Sequence, residues 1–70
     1  MNAYTFENRK FYFKVFLNEG STPFILLSTS EDPSIGISKI YFLSKYSMKY
    51  AMEYFFKDVT AIESKKNAVQ

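Results

Sequence analysis

The chain contains no cysteine, no histidine and no tryptophan, and only two glycines, two prolines and one arginine, Arg9. Each shortage closes a route. Without cysteine there is no disulfide to staple the fold and no thiolate to hold zinc. Without histidine the commonest metal ligand and the commonest general base at neutral pH are both missing. Neither a Ser-His nor a Cys-His nucleophilic pair can be assembled. Gly20 and Gly36 stand too far apart to form a phosphate-cradling loop. The seven acids are scattered, and only Glu31 and Asp32 adjoin. Sequence neighbours do not converge on one cation without further oxygen ligands. A paired-carboxylate hydrolase needs two acids held across a cleft, which a chain of 70 residues rarely builds. The expected class is non-enzymatic, with no cofactor and no metal.

Long hydrophobic runs are also lacking. The longest, Phe24 to Leu27 and Ile40 to Leu43, fall far short of a bilayer span. The opening MNAYTFENRK has no apolar segment of the secretory kind. A soluble, cytoplasmic protein is expected, and Met1 suggests a complete small product. Net charge is only +2, from nine Lys and Arg against seven Asp and Glu. That is a weak field for a dedicated DNA binder, and fork-like phosphate recognition has Arg9 as its one candidate. The wealth of Lys, Asn, Tyr, Phe and Ile suits an AT-rich coding genome, such as that of a phage or mobile element.

What the chain does have is aromatics: eight Phe and six Tyr. Each can bury a large area. A single domain of this length draws only about 3–5 kcal/mol from its core. With staples excluded, burial against a second subunit or a partner is the natural supplement.

The first half reads as sheet. Phe11, Phe13, Val15 and Leu17 alternate with Tyr12, Lys14, Phe16 and Asn18, which predicts a strand over residues 10–18. Asn18 to Pro23 is turn chemistry, and Phe24 to Thr29 is the returning strand of a hairpin. Tyr4-Thr5-Phe6 alternates weakly ahead of a turn at Glu7-Asn8-Arg9, adding a short first strand. The second half reads as helix. Asp32 followed by Pro33 suits an N-cap with proline at the first helical position, Ser34 being the other cap, and Gly36 puts the firm start near Ile37. Wound at about 100° per residue, Ile37, Ile40, Tyr41, Ser44, Met48, Ala51, Met52, Phe55, Val59 and Ile62 share one side. Lys65 and Lys66 suit the C-terminal end of the dipole, beyond which the last residues should fray. Two other readings of the same segment stay open. Ser44 and Ser47 could break the helix, or residues 37–44 could form a strand with the helix beginning at Ser47. The fold class expected is α+β: an antiparallel meander of two to three strands, then a long or broken C-terminal helix, as one domain over residues 1–70.

Two surfaces stand out. Leu43, Tyr46, Tyr50, Tyr54 and Ala61 make a second helical stripe, bordered by Lys49 and Lys57. Rings spaced by four lie one above another on a helix, and tyrosine suits interfaces because it pairs an apolar face with a hydroxyl. The bland counterpart is that the hairpin covers these rings as core. The favoured function is a small protein-binding protein, an inhibitor or regulator, that docks this aromatic helix face on a copy of itself, as a homodimer, or on another protein. The alternative is a module for single-stranded RNA or DNA built on Arg9, Lys10, Tyr12, Lys14 and Phe16, where cations interleave with stacking rings. Its bland counterpart is an edge strand guarded by lysines. A membrane-surface helix is disfavoured because Glu53, Asp58 and Glu63 interrupt the cationic strip. Asn8 to Phe13, Ile25 to Glu31 and Ala61 to Ala68 are similar to segments of the small YegP-like ββα-type domains, with a long insertion between the pieces. That resemblance implies a fold more than an activity.

Overall fold

The computed structural model describes residues 1–68. Strands β1 (Asn2–Phe6), β2 (Arg9–Phe16), β3 (Phe24–Ser28) and β4 (Ser38–Phe42) precede one helix, α1 (Met48–Ala68). The strands form one antiparallel sheet in the order β1-β2-β3-β4. The class is α+β, as expected, but the meander has four strands, not two to three.

The turns explain the connections. Glu7 and Asn8 both take positive φ, 52° and 63°. That is the type I′ geometry of a two-residue hairpin, matching the right-handed twist of the flanking strands. It sets Phe6 opposite Arg9 and Tyr4 opposite Phe11. The longer β2–β3 link turns at Asn18 to Ser21, with Gly20 at φ 78°. Gly36, at φ 81°, re-aims the chain into β4. A side chain there would collide with Thr29, whose Oγ1 lies 2.6 Å from the position of an added Cβ. That same Oγ1 accepts the Ile37 N–H at 3.0 Å.

The segment 37–44 is the main correction. It is a strand edge, and the helix does not begin near Ile37. Asp32 caps a local turn instead of a helix, accepting the N–H and the hydroxyl of Ser34. Pairing with β3 (Ile25 opposite Tyr41, Leu27 opposite Lys39) satisfies one side of the backbone of this run, whose Ile and aromatic residues suit a pleated surface. Helix α1 starts one residue after Ser47, whose Oγ accepts the Tyr50 N–H at 3.2 Å as an N-cap. Of the two other readings, the strand over residues 37–44 with the helix beginning at Ser47 is the one the structure matches, with the strand confined to Ser38–Phe42. Of the expected apolar stripe, Ala51, Phe55 and Val59 are fully buried, whereas Ile40, Met48 and Ile62 are exposed. The expected fraying of the last residues lies in part outside the described residues.

Strand register sorts the side chains into two faces. Tyr4, Phe6, Phe11, Phe13, Val15, Ile25, Leu27 and Tyr41 face α1 and form or flank the core with Ala51, Phe55 and Val59. Phe11 meets Phe55 edge-on at 5.7 Å, and Phe56 packs on Phe6 at 5.1 Å. Two ion pairs fasten the helix to that face. Arg9 donates two hydrogen bonds to Glu63, at 2.6 and 2.8 Å. Lys39 and the Tyr41 hydroxyl both donate to Asp58 Oδ2, at 2.8 and 2.7 Å. No described helix is long and apolar enough to cross a membrane.

Candidate functional site

The helix covers one face of the sheet. The other face carries Ala3, Thr5, Lys10, Tyr12, Lys14, Phe16, Phe24, Leu26, Ser28, Ser38, Ile40 and Phe42 by register. Phe16, Phe24 and Phe42 sit side by side across three strands. Their ring centroids are 4.7 Å apart and stacked for the first pair, then 6.3 Å and edge-on for the second. Leu26 and Ile40 form the next row. Ile40 is 50% exposed and Phe42 53%, while Leu17, just past β2, is 76% exposed. The β2 column alone brings charge to this face. Lys10 lies 5.6 Å over the Tyr12 ring and Lys14 lies 5.2 Å over Phe16. Among the described strand residues, none on this face is acidic.

This placement splits the five-residue strand group. Lys10, Tyr12, Lys14 and Phe16 lie together on the open face. Arg9 points to the helix face, because alternate strand residues point to opposite sides, and its guanidinium is committed to Glu63. Its pairing raises Arg9 above the ordinary arginine value and lowers Glu63, in each case chiefly through their shared hydrogen bonds.

The tyrosine row is partly as expected. Tyr50 and Tyr54 lie on α1, stacked at 6.2 Å and exposed by 54% and 40%. Leu43 and Tyr46 are not on the helix. Both lie in the β4–α1 connection and are half-buried against the core. Tyr46 nonetheless reaches Tyr54 edge-on at 5.6 Å and Tyr41 at 5.7 Å. A ridge of four rings therefore runs from β4 onto the helix. Lys57 stands 5.6 Å over Tyr54 and pairs with Glu53 at 3.4 Å, while Lys49 is exposed in the first helical turn. Burial pushes the Tyr41 phenol well up, reinforced by its bond to Asp58, and Asp58 is held below the ordinary carboxylate value by its bonds from Lys39 and Tyr41.

Sequence reading missed Phe24, Leu26, Ile40 and Phe42 as surface residues. Phe24 had a signal, since a hairpin closing at Asn18 to Pro23 brings it near Phe16. Phe42 had none until β4 was recognised. A cleft of about 340 Å³ lies between the start of β4 and the C-terminal half of α1, bounded by Ile37, Lys39, Asp58 and Ile62. Among the described residues no three metal-capable side chains cluster.

Compared with known protein families, curated proteins and solved structures, the chain matches none of them.

Proposed function

We propose that this chain is a small non-enzymatic binding protein that docks a protein partner on the uncovered face of its sheet. The observation that carries the reading is the Phe16–Phe24–Phe42 row, with Ile40 in the next row, on a face the helix does not reach, where Phe42 and Ile40 are half-exposed and Phe16 and Phe24 partly so. Apolar area of this kind gains about 25 cal/mol for each Å² taken from water. An apolar centre with Lys10 and Lys14 displaced to one margin is also how protein interfaces are arranged, with charge kept to the rim. The tyrosine ridge, with Tyr50 and Tyr54 exposed, is the second contact surface in this reading. The partner is a copy of the chain or another protein. A cytoplasmic inhibitor or regulator, of the sort phages and mobile elements encode, belongs to the same proposal.

Affinity capture with the wild-type chain and with Phe24→Lys as bait tests it. The expected result is a partner held by the wild type and lost by the variant, with the variant's melting curve and helical circular dichroism intact. Equal capture by both chains would remove the sheet face from the account.

A second reading has one observation in its favour. Lysines lie over aromatic rings on an open sheet with no acid among them, which suits a single strand of RNA or DNA. Two lysines neutralise few phosphates, so affinity would be modest and would fall with salt at a log–log slope near −1.4, about −0.7 per contact. Titration of labelled oligo-dT and oligo-rU at low salt decides this, and flat curves would end it.

A further inference from the structure

We infer that the protein partner is a second copy of this chain, joined by antiparallel pairing of the two β4 edges about a two-fold axis at Ile40. The inference rests on the protein-binding reading above and adds the partner and the register.

The backbone carries the argument. β4 is an outer strand of the sheet, paired on one side with β3. The Ile37 carbonyl accepts the Thr29 N–H at 2.9 Å, and the Leu43 N–H donates to the Pro23 carbonyl at 2.9 Å. Residues 37 and 43 therefore turn their peptide groups toward β3. In an antiparallel strand this direction alternates with each residue. Lys39 and Tyr41 then bond to β3, and Ser38, Ile40 and Phe42 point their N–H and C=O groups at the free edge. The three pairs are symmetric about Ile40. A two-fold axis there sets Ile40 opposite its own copy and Ser38 opposite Phe42 of the second copy. Every free donor on the edge then meets an acceptor.

The side chains agree with this register. Edge strands are usually blunted by proline, a bulge or charge. β4 has no proline, and its one charge, Lys39, is bound to Asp58 at 2.8 Å. In this register Lys39 lies opposite Tyr41 of the second copy, so no like charges face each other. The other edge is a poorer template. Phe6 faces Arg9 across the hairpin, so the same alternation leaves only Ala3 and Thr5 bonding outward from β1. On the open face, the axis brings the half-exposed Ile40 and Phe42 of both copies into one apolar strip. The half-exposed Ile62 flanks the cleft beside β4 on the helix side. A stable dimer buries about 800 Å² per copy, against a total surface of 5072 Å² here. The surface this pairing would bury is the edge with its apolar flanks, Ile40 and Phe42 on one side and Ile62 on the other.

The test uses the full chain. Sedimentation across a concentration series should show a dimer, and hydrogen exchange should show concentration-dependent protection of the Ser38, Ile40 and Phe42 amides. Ile40→Pro removes an N–H that faces the free edge, a position where proline is tolerated. It should weaken association by about tenfold or more, the worth of two lost backbone hydrogen bonds. Ile40→Cys provides a readout that does not depend on the proline variant folding. The chain has no other cysteine, and hydrogen-bonded partners sit about 5.5 Å apart at Cα, within disulfide reach. Mild oxidation should join Ile40→Cys chains into a covalent dimer and leave Thr5→Cys chains single. A monomer at every concentration, or a dimer whose three amides exchange freely and whose Ile40→Cys form does not cross-link, would overturn the proposal. Loss of capture by Phe24→Lys would still support the sheet-face reading in that case, so the two can fail separately.

Discussion

The two faces of this sheet are made from the same four strands, and both are rich in aromatics, yet one is a core and the other a surface. The helix makes the difference. Ala51, Phe55 and Val59 recur every fourth residue and seal Phe11, Ile25 and Leu27 completely. A single helix is about 10–12 Å across with its side chains, so it can close one face and has nothing to offer the other. The same residue types therefore have different jobs. Phe11 specifies the fold, whereas Phe42, half in water, adds little to it and is available for contact. In a chain this small, residue type does not reveal the role of an aromatic, and position relative to the one helix does.

The sharpest way to break this comparison is to remove one ring from each face. Phe55→Ala empties a fully buried site and should cost about 3–5 kcal/mol. That is as much as a core of this size supplies, so the variant is expected to be largely unfolded by circular dichroism at room temperature. Phe42→Ala should stay within about 0.5 kcal/mol in urea denaturation of the monomer. Similar losses from both would mean that the open face is also a structural core.

The two glycines in turns sharpen the comparison at the level of the backbone. Both have positive φ, so alanine at either costs about 1 kcal/mol from left-handed strain. At Gly20 nothing lies within 4 Å of the added carbon, and the cost should stop there. At Gly36 the new carbon meets Thr29 Oγ1 and displaces the acceptor of the Ile37 N–H. Gly36→Ala should lose about 2 kcal/mol or more, with β4 released first. Amide exchange at Lys39 and Tyr41 would report that release before global unfolding.

Much of the fold was legible where local signals agree. In β2 and β3, alternation, turn residues and hairpin spacing all point to the same ladder. β4 was legible only as a rival to the helix, because Ile40 and Phe42 on one side and Tyr41 and Leu43 on the other erase the alternation that marks a strand with one wet face. The inward Lys39 also looks misplaced until Asp58, nineteen residues on, supplies its partner. The candidate sites follow the same rule. Tyr50 and Tyr54 share a helix and were readable from spacing, and Lys10, Tyr12, Lys14 and Phe16 share a strand face. Arg9 was grouped with Lys10, Tyr12 and Lys14 although strand alternation puts it on the opposite face, where Glu63 holds it, and Phe42 was missed because its surface exists only once β4 pairs with β3.

A smaller effect probes a polar flaw of the covered face. The Tyr4 hydroxyl is buried with no hydrogen-bond partner, and burial pushes its phenol up to about 12. Removing an unsatisfied hydroxyl while keeping the ring leaves the stack on Phe11 in place. Tyr4→Phe should stabilise the chain by about 1 kcal/mol, whereas Tyr12→Phe on the open face should change nothing measurable. A loss of stability for Tyr4→Phe would show that the hydroxyl has a partner after all.

The shallowest expected effect is acid sensitivity, and it separates the faces by charge. Asp58 and Glu63 both lie on the covered side and both have lowered values in the folded chain, Asp58 through the bonds from Lys39 and Tyr41, and Glu63 through the bond from Arg9. A carboxyl with a depressed folded value binds its proton more readily when unfolded, so its contribution is fully present above the unfolded value and lost as pH falls through the folded one. The ordinary values are 3.8 for Asp58 and 4.5 for Glu63, so the loss begins near these and continues below them. Both pairs are partly exposed, and screening keeps the contribution small. Stability should therefore be flat from neutral pH to about 5 and decline below it, with less decline in Glu63→Gln and Asp58→Asn, whose starting stability is already lower. The open face carries lysines and no acid, so its chemistry should not change over this range. Acid should thus loosen the helix before it alters the docking surface, and near-neutral dye binding to the Phe row that persists at pH 4 while helix amides begin to exchange would show that order.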